Sequence, residues 1–211
     1  HVLLDGWSVG KLIAEFIELI EHDSPKLTLS PNHQQILVSR ENSRRTEKDA
    51  EYWERFFSDK TALTLPKQTI ENGKYEIFTA KLDGIKSFRS VSETAAISFQ
   101  SYLLTHFFLT VYSIDSKNKT YLHSISSGRN LIPEFTEEAV GLFIRNIIPG
   151  FELSEEDTML SLLKNFNRNF IKTVEMEFTE PALINAYQEQ RPDVLFVFEN
   201  YPYNAIKGEK I

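Results

Sequence analysis

The chain opens on a pattern that ties a reactive side chain to a turn and a helix. His1-Val-Leu-Leu-Asp5-Gly6-Trp7-Ser8 reads H-x-x-x-D-G-W-S. An amphipathic stripe follows at once. Val9, Leu12, Ile13, Phe16, Ile17, Leu19 and Ile20 recur with a helical period against Glu15, Glu18 and Glu21. This predicts a helix over residues 8–21, with Ser8 as N-cap and Asp23-Ser24-Pro25 as its stop. His1 then stands at the end of an apolar strand, beside a tight turn. Gly6 in that turn admits positive φ or close approach of another backbone. H-x-x-x-D-G alone is a weak signal, so its context decides its meaning.

Further along, helical and extended patterns alternate. Thr46 to Phe57 predicts a helix with Thr46 as N-cap and Ala50, Trp53, Phe56 and Phe57 apolar. Tyr75 to Leu82 alternates loosely and predicts a strand. Ser98 to Ser113 is apolar on all sides, which predicts a buried helix capped by Ser98. Lys117-Asn-Lys119 reads as a turn. Thr120 to Ile125, Gly141 to Ile148 and Val194 to Phe198 read as strands. Thr158 to Val174 predicts a helix with Met159, Leu162, Leu163, Phe166, Phe170 and Ile171 inward. The alternation predicts an α/β (α+β sandwich) class.

Composition excludes several functions. The 211 residues carry a net charge of −7, which argues against a general nucleic-acid or anionic-membrane binder. Arg40, Arg44, Arg45 and Lys48 form a local basic cluster whose simplest reading is a solvated helix start. No Cys is present, so no disulfide, thiolate metal site or Cys nucleophile is available, in keeping with a reducing cytoplasm. No apolar run reaches the ~18 residues that span a bilayer. No acidic or His spacing suits a metal, and no phosphate-binding glycine loop occurs.

Four more segments stand in order behind the opening motif. They are Tyr52-Trp53, Ser127-Gly128-Arg129, Val140-Gly-Leu-Phe-Ile144 and Leu195-Phe-Val-Phe-Glu-Asn-Tyr-Pro202. Together with H-x-x-x-D-G-W-S, they resemble the condensation domains of nonribosomal peptide synthetases. Those domains belong to the chloramphenicol-acetyltransferase-like family, whose H-H-x-x-x-D-G-W-S motif would have His1 as its second His. The resemblance implies a chloramphenicol-acetyltransferase-like lobe with a mixed sheet flanked by helices. Residues 1–22 would be the active-site motif and following helix of the first lobe, and 23–60 the crossover segment. Residues 61–211 would be a C-terminal lobe incomplete at its end.

The implied chemistry is amide formation. An acyl or peptidyl thioester meets an aminoacyl amine, both on 4′-phosphopantetheine arms of upstream and downstream carrier proteins. An adjoining adenylation domain is the further implied partner. The amine loses a proton during attack, and an imidazole titrates in a suitable range. His1 is therefore the candidate base, or a group that orients the amine. The Gly6 N–H is a candidate donor to the oxyanion. The resemblance makes Asp5 structural rather than basic, with Arg129 as its partner. Trp7 and Asn200 are candidates for the substrate channel. Packing is the alternative for Trp7, and an Asx-type turn before Pro202 is the alternative for Asn200. Tyr52, Trp53, His106 and His123 read as core, whereas His22 and His33 fall in polar segments.

The chain departs from the family pattern in three places. Arg145-Asn146 follows Val140–Ile144 where the pattern continues Asn-Thr. The H-Q-x-x-P pattern survives only as Phe178-Thr-Glu-Pro181. Arg40–Arg45 replaces a tyrosine-rich piece before Tyr52-Trp53. An epimerisation domain, or a non-catalytic domain that docks carriers or spaces modules, are the competing readings. The isolated chain is expected to be inactive, with one lobe mostly missing, and to self-associate through an apolar face.

Overall fold

The structure is a computed structural model that describes residues 3–22, 38, 46–65, 76–81, 83–129 and 139–199. Helix α1 spans Gly6–Glu21, α2 Thr46–Asp59, α3 Ile85–Thr94 and α4 Phe99–Asp115. Strands β1 (Thr61–Ala62), β2 (Lys119–Tyr121), β3 (His123–Ser126), β4 (Arg145–Ile147) and β5 (Gly150–Glu152) are short. Helices α5 (Met159–Glu175) and α6 (Pro181–Tyr187) and strand β6 (Leu195–Phe196) complete the described elements.

The strands form two three-stranded mixed sheets. β2 runs parallel to β1 and antiparallel to β5, with Thr120 opposite both Thr61 and Phe151. β3 runs antiparallel to β4 and parallel to β6, with Ser124 opposite Ile147 and Phe196. The single strand expected over Thr120–Ile125 is thus two strands divided at Leu122. Leu122 N–H bonds Pro149 O instead of a ladder partner, and its side chain is fully buried.

Local chemistry sets the helix ends. Ser98 caps α4 by accepting from Ser101 N–H at 3.0 Å. Thr158 caps α5 in a capping box with Ser161. At α1 the cap is not the expected Ser8. Asp5 is the N-cap, its carboxylate accepts from Ser8 N–H, and the helix starts at Gly6. A carboxylate beats a hydroxyl here because it can also be answered by a cation.

Helices α4 and α5 pack together over the sheets. Their shared core is Leu104, Phe108, Leu162, Phe166 and Phe170 against Leu63, Leu122, Ile147 and Phe151. Phe108 and Phe151 stack with ring centroids 5.0 Å apart. Met159 and Ile171, expected inward on α5, are half-exposed instead. A second cluster places Trp53 and Phe56 of α2 on Ala62, Tyr121 and Ile148. Trp53 is buried in it, beside Tyr52 in an edge-to-face contact.

Two expected strands differ. Residues 76–81 of the span 75–82 take no strand, and Ile77 and Phe78 are both exposed. Alternation suits a pleat, but a strand exists only where a partner backbone lies alongside. Of residues 141–148, only Arg145–Ile147 pair as β4. The preceding stretch from Gly141 to Phe143 bonds the start of α1 instead.

Candidate active site

Three distant segments close around the carboxylate of Asp5, which is fully buried. Asp5 Oδ1 accepts from Ser8 N–H at 2.9 Å, from the Ser8 hydroxyl at 2.8 Å and from Arg129 Nη2 at 2.9 Å. Asp5 Oδ2 accepts from Arg129 Nη2 at 3.0 Å and from Phe143 N–H at 3.1 Å. The Asp5 N–H in turn donates to Gly141 O at 3.1 Å. Arg129 is 5% exposed, and its Nη1 donates to Ala139 O at 2.9 Å. Its guanidinium also lies over the Phe143 ring, 4.5 Å from the centroid. A buried carboxylate held this way has the charge partner and the donors its desolvation demands.

Ser8 closes the cluster. Its hydroxyl accepts from Gly141 N–H at 2.9 Å and from Arg129 Nη2 at 3.1 Å. Its single proton is shared between Asp5 Oδ1 and Gly141 O, each 2.8 Å away. Sequence reasoning gives Ser8 only a capping role. A signal for more was present: Asp5 and Ser8 stand three apart, as an N-cap and its N3 residue do.

Gly128 makes the approach of these segments possible. Its φ is +66°, and a Cβ there would lie 1.8 Å from Phe143 O. Only glycine lets the turn before Arg129 press on the backbone before Arg145. Arg145 itself is half-buried, with its guanidinium 5.4 Å from the centroid of the Phe178 ring. Burial lowers its pKa and the nearby charge of Glu177 opposes that shift.

Gly6 is the first residue of α1, so its N–H has no intrahelical acceptor. Trp7 is half-buried and lines a cavity of about 520 Å³. Ser126, Ser127 and Ile144 line the same cavity, which places it next to the Asp5–Arg129 cluster. His1 and Asn200 lie outside the described residues, as do His33, Arg40, Arg44 and Arg45. Lys48 is exposed on α2.

His106 and His123 are half-buried rather than core. His106 Nδ1 lies 2.8 Å from Tyr102 O, and His123 Nε2 lies 3.3 Å from Gln188 Nε2. Burial lowers the His123 pKa, the Arg191 charge lowers it further, and the Gln188 contact opposes both. Among the described residues, no group of three His, Asp or Glu side chains is placed to hold a metal. No described helix is long and apolar enough to cross a membrane.

Comparison with known proteins agrees with this fold. A family model described as the condensation domain matches residues 1–210. The chain is 26% identical over 227 residues to a linear gramicidin synthase of Brevibacillus parabrevis, covering 99% of the chain and 4% of that protein. It is 25% identical over 224 residues to the chondramide synthase of Chondromyces crocatus, covering 97% of the chain and 6% of the relative. Among solved structures, the first condensation domain of the calcium-dependent antibiotic synthetase aligns with a TM-score of 0.71 at 10% identity. That match covers 93% of this chain and 46% of the other. The SgcC5 protein of Streptomyces globisporus aligns with a TM-score of 0.72 at 16% identity, covering 90% of this chain and 46% of the other. The chain thus spans under a tenth of these curated relatives and just under half of these structures. The motif order, the α/β fold and the family match converge: the chain belongs to the condensation-domain family of nonribosomal peptide synthetases.

Proposed function

We propose that this chain carries the active-site motif and much of one lobe of a domain that forms amide bonds between carrier-bound substrates. The acceptor amine attacks the carbonyl carbon of the donor thioester. A C–N bond forms, the C–S bond breaks, and the amine proton passes to the departing pantetheine thiolate. His1 takes that proton in transit or orients the amine for attack. The Gly6 N–H, at the positive end of α1, donates to the oxyanion of the tetrahedral intermediate. The partners are an upstream and a downstream carrier domain, each presenting its substrate on 4′-phosphopantetheine, and an adjoining adenylation domain.

One observation carries the assignment of roles. The Asp5 carboxylate is committed to Ser8, Arg129 and Phe143. Fully buried and with both oxygens engaged, it is not placed to contact a substrate amine. That leaves the imidazole of His1, four residues upstream, as the proton-handling group of the motif. The chain alone is inactive in this reading, because the channel needs a second lobe.

The experiment is a single-turnover assay on the complete domain with both carriers loaded and the acceptor read by intact mass. Substituting His1→Ala lowers the rate by roughly 10²–10⁴-fold, the range general acid–base catalysis supplies. A folded wild-type domain that binds both carriers yet forms no amide would overturn the proposal in favour of a docking or spacing role.

A further inference from the structure

The cavity beside Asp5 has a wall that the opening motif does not explain. Its apolar lining includes Trp7, Ile147, Phe170 and Phe178. Glu177 also lines it and is only 6% exposed, while Glu175 lies exposed on its rim. No Lys, Arg or His is among its described lining residues. A cation near Glu177 is Arg145, which does not itself line the cavity and packs over Phe178, 5.4 Å from the ring centroid.

These residues coincide with two of the departures in the sequence. Arg145 follows the Val140–Ile144 segment, and Phe178 opens the remnant that ends at Pro181, directly after Glu177. Far apart in the chain, the two departures meet in space. Arg145 therefore lies over the Phe178 ring with the Glu177 charge close by. Glu177 and Phe178 belong to the cavity lining, whereas Arg145 does not.

Such a space favours one kind of occupant. A neutral apolar side chain gains burial against the ring and aliphatic wall. An acidic side chain loses its hydration and meets the Glu177 and Glu175 charges, both of which disfavour its charged form. At about 520 Å³, the cavity falls in the range of small-molecule sites. We propose that this cavity receives the side chain of one of the tethered aminoacyl substrates, that it takes a neutral apolar one, and that Glu177 turns acidic ones away. The inference rests on the acyl-transfer reading above and names the substrate class for that site.

The test uses two probes of closely similar shape, leucyl- and aspartyl-pantetheine joined as stable amides. Each is titrated calorimetrically into the full chain. The leucyl probe binds at least ten-fold more tightly than the aspartyl probe. Substituting Glu177→Gln narrows the gap to within three-fold. Ile171→Trp, at a half-exposed lining position on α5, fills the space and weakens the leucyl probe at least ten-fold. It also serves where Glu177→Gln fails to fold. Equal binding of both probes, no saturable leucyl binding, or a leucyl affinity untouched by Ile171→Trp each overturns the inference. A gap unchanged by a folded Glu177→Gln overturns the role given to Glu177. Binding is read without turnover, so the two readings fail separately. A complete domain that forms no amide, while the chain keeps its leucyl preference, sinks acyl transfer alone.

Discussion

Arg129 Nη2 touches both oxygens of Asp5, at 2.9 and 3.0 Å, across 124 residues of sequence. The contact ties the start of α1 to the turn after β3, with both side chains almost wholly buried. Removing one partner takes from the other, buried charge the opposite charge that this contact supplies. Asp5→Asn or Arg129→Met is therefore expected to cost about 3–5 kcal/mol in urea unfolding. The double variant Asp5→Leu/Arg129→Met loses clearly less than the two single losses combined, because the pair is removed together. Single losses below about 1 kcal/mol would show that the pair does not hold the fold.

Ser8 has a smaller but distinct expected effect. Its hydroxyl contacts Asp5, Arg129 and both backbone groups of Gly141. Ser8→Ala leaves those groups short of partners inside the protein. A loss of about 1–3 kcal/mol is expected, since the penalty is that of unsatisfied buried groups. Ser8→Thr, which keeps the hydroxyl, recovers part of it. Indistinguishable denaturation midpoints for wild type and Ser8→Ala would refute the network.

Gly128→Ala combines two faults. The backbone has φ +66°, and the added Cβ falls 1.8 Å from Phe143 O. A non-glycine residue in this region costs about 1–3 kcal/mol before any clash is counted. The expected total exceeds about 2 kcal/mol, and amide hydrogen exchange at Phe143 accelerates as its bond to Asp5 loosens. Protection at Phe143 unchanged in the variant would contradict this.

His123 gives a pH dependence. Its pKa is lowered in the fold, first by burial and then by Arg191. In the unfolded chain it returns to about 6.5. Between the two values the unfolded chain holds a proton that the folded chain does not. Stability therefore falls as pH drops below about 6.5 toward the folded pKa, and this loss is absent above it. His123→Gln removes that component. The stability of wild type relative to the variant should decline from pH 8 to pH 5.5 in urea titrations. A difference independent of pH would rule the effect out.

The local half of this protein can be read along the chain. Helical hydrogen bonds run from each residue to its own near neighbours, so the stripes over α1, α2, α4 and α5 and the cap at Ser98 are legible from spacing. The order of the five motifs is legible too, and with it the family. Whatever needs a distant backbone was settled only by packing in three dimensions. Packing left residues 76–81 without a strand, split 119–126 between two sheets, and moved the N-cap of α1 from Ser8 to Asp5. It also brought Gly141 and Phe143 onto the motif and set Arg145 against Phe178. Strand partners and buried charge partners are chosen by spatial proximity, and periodicity along a chain carries no measure of that distance.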